Sequence, residues 1–440
     1  MSVVIIALSI LFFLSATFLY LALTNRNARN ARAAALATTY NLTAMMSKFH
    51  NTAYLTSATV ESVAQCGDGK ASTTDRVRVR LTYADNKTTL PTHAILKSIL
   101  LHPWLRLGGR LAINALATAA ALLRPIRLDR LVYLIANTYN YYLPHAPEPM
   151  YDNEARFYSI LRPELGTNFE APIVLGAQLG RTSCVLIEDL SARGATFPTA
   201  REELSLRQLN ALLDQLVHNL HGPFWQSPRF RTDLAWLPTA TTGGMADVFE
   251  AIGFGLIRDH VNTHAFEREL LKPLGCSVEQ LWSGLKRALH IMEVPPLTLC
   301  HGDCHVQNTY LLPEGSSSRV AGFFDFQLSL RACWARDVSY LIATSLPIEA
   351  RRRHEKELLR EYLNKLRKYA GSSAPSDEEA MALYSKCMAW ALVIGWLICP
   401  PINYGQAIWS ANVGRLVAAC GDLGTFNGVL TKPVPKTARD

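Results

Sequence analysis

Within Leu299–Gln327, His301, Asp303 and Asn308 stand in the spacing H-x-D-x-x-x-x-N, and after a turn-rich gap an apolar run ends in Asp325. Two carboxylates and a carboxamide on neighbouring loop ends suit phosphoryl transfer from ATP. One carboxylate, Asp303, orients a substrate hydroxyl and can take its proton. Asn308 and Asp325 supply oxygen ligands for Mg²⁺ on the phosphates. Such a reaction asks little covalent chemistry of the protein; positioning and charge neutralisation do most of it. Taken singly, each Asp is an ordinary turn or cap residue. Their joint spacing, with a lysine on an upstream strand, carries the reading.

Several elements must position these residues. A short strand, Leu297–Cys300, leads into the loop, a second, Val320–Phe326, brings Asp325, and a helix starts at Arg336–Leu341. Upstream, Arg76–Tyr83 (RVRVRLTY) alternates strictly, as a half-buried strand does. It comes after Val60–Ala64 across a turn at Gly67–Ser72 with two glycines, a hairpin whose N–H groups could cover phosphates. Thr92–Ile99 is the next strand, with Lys97 near its end. A lone lysine on an apolar strand ordinarily snorkels; after a glycine hairpin it is a candidate for the phosphates. Tyr151–Leu161 reads as a helix with Phe157, Tyr158 and Leu161 on one stripe. Glu154 on that helix is either a solvated carboxylate or the partner of Lys97. Ala171–Gln178 and Cys184–Leu190 read as strands, the second ending at Glu188 and Asp189, where a hinge would meet adenine. From Glu202 the chain is mostly helical: Leu204–His221, Gly243–Leu271, Val278–Met292, Glu349–Tyr369, Asp377–Ile398 and Tyr404–Cys420.

Composition narrows the alternatives. The chain has 440 residues, 49% hydrophobic, enough for one two-lobed unit or two domains, each with a real core. Charged residues make up 18%, below the usual ~25%. The net charge of +8 comes without a Lys/Arg cluster interleaved with aromatics, so a nucleic-acid partner is not indicated. Nine cysteines are scattered without a C-x-x-C, and three residues separate Cys300 from Cys304, which excludes the haem-attachment spacing. They read as reduced thiols of a cytosolic domain.

Val3–Leu23 carries no charge, and Arg26, Arg29 and Arg32 come directly after it. A helix of that length crosses a bilayer core, and the basic flank places the rest of the chain in the cytoplasm. The expected organisation is a transmembrane anchor at 1–24, a polar linker at 25–57, a first lobe at 58–190, a helical lobe at 191–427 and a polar tail at 428–440. Residues 100–147 interrupt the first lobe with an almost wholly apolar stretch, Leu107–Leu123, flanked by arginines. It is either a helix on the membrane surface or one packed on the protein.

The sequence His301-Gly302-Asp303-Cys304-His305-Val306-Gln307-Asn308 resembles the H-G-D-x-H-x-x-N loop of aminoglycoside-phosphotransferase-like kinases. Asp325-Phe326-Gln327, with Asp337-Val338-Ser339-Tyr340 after it, is similar to the ecdysteroid-kinase-like, or choline-kinase-like, branch. Further matches are Glu188-Asp189-Leu190, His221 with Phe224-Trp225, and Arg415 with Asp422-Leu423. The resemblance runs from about Thr59 to Phe426, and its catalytic loop is its most specific part. It implies an α+β, protein-kinase-like fold of two lobes, β-rich then α-helical, with ATP between them. It implies Asp303 as catalytic base, His301 as brace of the loop, Asn308 and Asp325 as Mg²⁺ ligands, and Lys97 on the phosphates, held by Glu154. Glu188 and Asp189 would lie at the nucleotide hinge, and Asp337 would anchor the loop from the next helix. Gln327 stands where protein kinases have glycine and no A-P-E element follows it, so a protein kinase is disfavoured.

The leading reading is a membrane-tethered, ATP- and Mg²⁺-dependent kinase of a small-molecule alcohol, steroid-like or lipid. The alternative is a tethered pseudokinase that binds without turnover, against which the intact Asp303, Asn308 and Asp325 argue.

Overall fold

The structure is a computed structural model. It describes residues 30–50, 54–64, 75–85, 87–98, 100, 148–180, 183–313, 315, 320–399, 401 and 404–427. The expected anchor at 3–23, the glycine turn at 67–72, the insertion core at 107–123 and the tail lie outside the described residues. The chain divides into two compact units, one reaching Tyr151 and taking in Ile173–Asp189, the other formed by Asp152–Pro172 and Leu190 onward.

The first unit is built on helix α1 (Thr39–Met46) and an antiparallel sheet of strands β1 (Leu55–Ala64), β2 (Asp75–Tyr83) and β3 (His93–Ser98). Helix α2 (Glu148–Arg156) crosses from this unit into the second, and β4 (Val174–Gln178) and β5 (Cys184–Glu188) complete the sheet in the order β1-β2-β3-β5-β4. The alternation in β2 works as read: Val77, Val79, Leu81 and Tyr83 are buried. Their face meets α1, whose Leu42, Met45 and Met46 join Leu96 and Leu186 in one core. Thr38 caps α1 by accepting from the Asn41 N–H at 3.3 Å. The stretch expected as a linker at 25–57 is therefore, at 39–46, part of the sheet's core. The helix lies so close to β4 that a Cβ at Gly176 would come within 2.8 Å of the Met45 side chain. β3 is central, and Lys97 pairs with Arg76 on one side and Val185 on the other, with only 6% of its surface exposed.

The second unit is helical. It comprises α3 (Leu206–Gln215), α4 (Ala246–Thr263), α5 (Ala265–Leu271), α6 (Val278–Met292), β6 (Thr298–Cys300), β7 (Thr309–Leu311), β8 (Ala321–Phe323), β9 (Leu330–Ala332), α7 (Ala335–Ser345), α8 (Ile348–Ala370), α9 (Asp377–Leu392) and α10 (Gln406–Asp422). Serines open three helices as reciprocal capping boxes: Ser205 with Gln208, Ser277 with Gln280 and Ser376 with Glu379. The helix expected over 243–271 breaks at His264, whose extended backbone separates α4 from α5. All eleven residues of α7 are buried, so it is a central post, in contact with α9. Among the described residues one helix, Asp377–Leu397, has the length and hydropathy of a membrane span, but 67% of that window is buried inside the protein.

Candidate active site

Two small antiparallel pairs hold the loop ends. β6 pairs with β9, matching Cys300 with Leu330, and releases the chain at His301. β7 pairs with β8, matching Thr309 with Phe323, so the residue after Asn308 lies opposite a residue just before Asp325. The pairing closes a sequence gap of seventeen residues and sets both loops at one end of the same ribbon.

Gly302 is the pivot of the loop. Its φ is +86°, and a Cβ there would lie 1.9 Å from the Leu328 carbonyl oxygen, so no other residue fits. Both of its peptide groups are held from the start of α7. Asp337 accepts the His301 N–H at 2.6 Å and the Gly302 N–H at 2.9 Å. Arg336 donates to the Gly302 carbonyl at 2.9 Å and lies 3.6 Å above the Trp390 ring. Asp337 also accepts from His221 Nε2 at 3.2 Å, and Tyr362 meets His221 Nδ1 at 2.5 Å. Burial alone would raise the Asp337 carboxyl, but His221, His301 and the Gly302 N–H outweigh it and hold it below the usual range. His221, Cys300 and Asp337 lie near enough together to suggest a metal site. Their polar atoms are already engaged with one another, with the Tyr362 hydroxyl or with backbone groups, so the group is a hydrogen-bond network that fixes the loop.

The sequence-predicted residues of the loop converge. Asn308 donates through Nδ2 to the Asp303 carbonyl at 2.9 Å and to Asp303 Oδ2 at 3.0 Å. Its carbonyl oxygen is the ligand-capable end of that amide. His301 spans both acid-bearing segments: Nδ1 accepts the Asp303 N–H at 3.3 Å, and Nε2 donates to the Phe324 carbonyl at 3.0 Å. Those two bonds define a neutral imidazole, and burial lowers its pKa accordingly. His305 Nε2 stands 3.8 Å from Asp303 Oδ2, and burial pushes that ring down to about 4. Burial, and then the charge of Asp325, pushes the Asp303 carboxyl up to about 6. Asp325 adopts the left-handed conformation, φ 67° and ψ 64°, uncommon for a residue with a side chain. Held strain of this kind clusters at ligand sites.

Behind Asp325, Phe326 locks the turn. Its ring stacks on Phe157 at 3.9 Å and meets Tyr158, Phe169 and His301 at 5.8, 5.8 and 4.7 Å. Asn153 donates to the Gln327 and Ser329 carbonyls at 3.0 and 2.8 Å. On the outer side, Thr344 accepts the Val306 N–H at 3.1 Å and Asn412 donates to Gln307 at 3.0 Å. Sequence reasoning missed Asn153, Arg336, Thr344 and Asn412. Only Asn153 left a trace, as a polar residue beside an apolar helical stripe.

The remaining candidates fall in different places. Glu154 is buried in the second unit, 2% exposed. Lys97, Glu188 and Asp189 belong to the first. There the Glu188 carboxylate accepts the Ile173 N–H at 3.2 Å and Asp189 pairs with Arg78 at 2.8 Å. Their own N–H groups donate to Ile173 and His93. The side chains and N–H groups of Glu188 and Asp189 thus secure the sheet, which is the plain reason a strand end bears them.

Comparison with known proteins sharpens the picture. The model of the ecdysteroid kinase-like family matches residues 258–372, a span that contains the loop, Asp325 and Asp337. Over these residues the chain is similar to that family. No curated protein sequence matches it. Similar solved structures include a choline kinase from Cryptosporidium parvum, 12% identical, covering 83% of this chain and 88% of that one with a TM-score of 0.42. A Plasmodium vivax ethanolamine kinase is 12% identical, with coverage of 82% and 81% and a TM-score of 0.42. An aminoglycoside phosphotransferase from Streptomyces rimosus is 16% identical, with coverage of 72% and 89% and a TM-score of 0.32. The matched segment ends in the turn after α8 and leaves α9 and α10 outside it.

Proposed function

We propose that the protein is an ATP- and Mg²⁺-dependent phosphotransferase acting on a hydroxyl of a small molecule. The observation that carries this is the constellation of Asp303, bonded to Asn308, and Asp325 in its left-handed turn, all tied by His301. The donor set fits Mg²⁺: the Asn308 amide is turned so that its N–H₂ is occupied by Asp303, and burial together with the Asp325 charge raises the cost of ionising Asp303. A hard divalent cation on oxygen ligands would relieve that repulsion. Asn308 and Asp325 would hold it, and it would neutralise charge on the phosphates.

Asp303 then accepts the hydrogen bond of the acceptor hydroxyl, aligns it and takes its proton. His301 fixes the backbone on either side of this event without exchanging a proton. Lys97, on β3, is the cation this reading assigns to the phosphates. Choline, ethanolamine and aminoglycoside kinases among the similar structures agree with a small-molecule alcohol acceptor. The apolar segment at 3–23 favours an acceptor that partitions into membranes and a chain tethered there.

The test is ATP consumption across a panel of alcohols, sterols and aminoglycosides. Asp303→Ala should lower turnover by about 10²–10⁴-fold while Mg-ATP still shifts the melting temperature. Asp325→Ala should lose that shift. Turnover at the wild-type rate in Asp303→Ala would remove Asp303 from the chemistry.

A further inference from the structure

Away from Asp303, helices α4, α6 and α9 line a half-open pocket of about 200 Å³. Phe249, Trp282, Leu285, Leu289, Trp390 and Ile394 form its aromatic and aliphatic floor, while Thr241, Glu250, Lys286 and His290 edge it. A smaller space shares Phe249 and Trp390 with it and reaches Leu328 and Arg336 beside the turn after Asp325. An apolar cavity of about 150 Å³ already holds benzene, so this one has room for a larger ring system.

The charges around it are internally balanced. Lys286 binds Glu250 at 2.5 Å at the rim. Glu293, next to the lining residue Thr241, accepts the Thr241 hydroxyl at 2.7 Å and its N–H at 2.9 Å. No unbalanced charge among these groups calls for an ion, and the walls call for burial of apolar surface. We propose that this cavity is a binding site for a neutral, apolar ring compound, and that its occupancy is transmitted to the catalytic loop. The path of transmission is short. Trp390 forms the inner wall, Arg336 lies 3.6 Å over its ring, and Arg336 holds the Gly302 carbonyl next to Asp303. A ligand against Trp390 fixes the ring, and with it the guanidinium that clamps the loop. This inference does not depend on the reaction proposed above, since binding and loop protection are both read without turnover.

The experiment uses the full chain with indole as the probe, read by calorimetric titration and by hydrogen exchange at residues 300–308. Indole should bind saturably and slow exchange in that loop. Ala246→Phe, and the smaller Ala246→Leu, extend a side chain into the space; each should weaken indole binding, the first by about tenfold or more, with the melting temperature retained. Trp390→Leu should still bind indole but leave loop exchange unchanged by it. Absence of saturable binding, undiminished binding in both Ala246 variants, or wild-type loop exchange that ignores bound indole would each overturn the proposal.

Discussion

Gly302→Ala adds one methyl group where 1.9 Å separates the new Cβ from a backbone oxygen and where φ is +86°. The loop must move off Asp337 and Arg336 to accommodate it. The expected loss is about 2–4 kcal/mol of stability, read by urea unfolding. Glu267 provides a test of a different kind. It is fully buried, and burial pushes its carboxyl from 4.5 up to about 7. The folded state therefore holds the proton more tightly than the unfolded one. Its contribution to stability is complete below pH 4.5 and is lost as the pH rises through 7. Glu267→Gln should flatten the fall in melting temperature between mildly acid and mildly alkaline buffer; an unchanged pH profile would show that Glu267 does not titrate there. The convergence of His301, Asp303 and Asn308 was legible because H-x-D-x-x-x-x-N is local, and its spacing arises from one loop leaving one strand. Arg336 and Asn153 were not, because each serves a backbone carbonyl distant in sequence, and backbone partners leave no side-chain pattern to read.

At the scale of elements, the turn that presents Asp325 depends on α2 and its extension, which contribute Asn153, Phe157 and Tyr158. Asn153→Ala leaves the Gln327 and Ser329 carbonyls without their buried donor. Stranding such groups costs about 1–3 kcal/mol. Because those carbonyls come just after Asp325, Mg²⁺-dependent nucleotide binding should weaken in the same variant, as measured by titration under conditions where it is fully folded. Strands were legible where alternation was strict, as in β2. The burial of helix α1, within a connector read as partly helical, was not, because its sequence TYNLTAMM offers only a few apolar positions, and these become a buried face only when a sheet with a glycine at 176 lies beneath them. The break at His264 was equally hidden, since α4 and α5 continue the same polar and apolar mixture across it.

For the molecule as a whole, the chain's contacts draw a boundary that sequence alone does not. Residues 152–172 sit with the helical unit although strands of the sheet flank them in the sequence. The order strand, helix, strand suggests one lobe; the burial of Phe157, Tyr158 and Phe169 around Phe326 assigns the intervening stretch to the other unit. Helix α7 gives that unit its particular character. It is buried on every face, yet its first turn carries the Arg and Asp that clamp Gly302. The loop that bears Asp303 is therefore bolted to the centre of the core and not to its rim, and it has no private melting point. Heat inactivation should coincide with cooperative unfolding of the helical unit, so that residual activity after a temperature step serves as a direct gauge of the folded fraction.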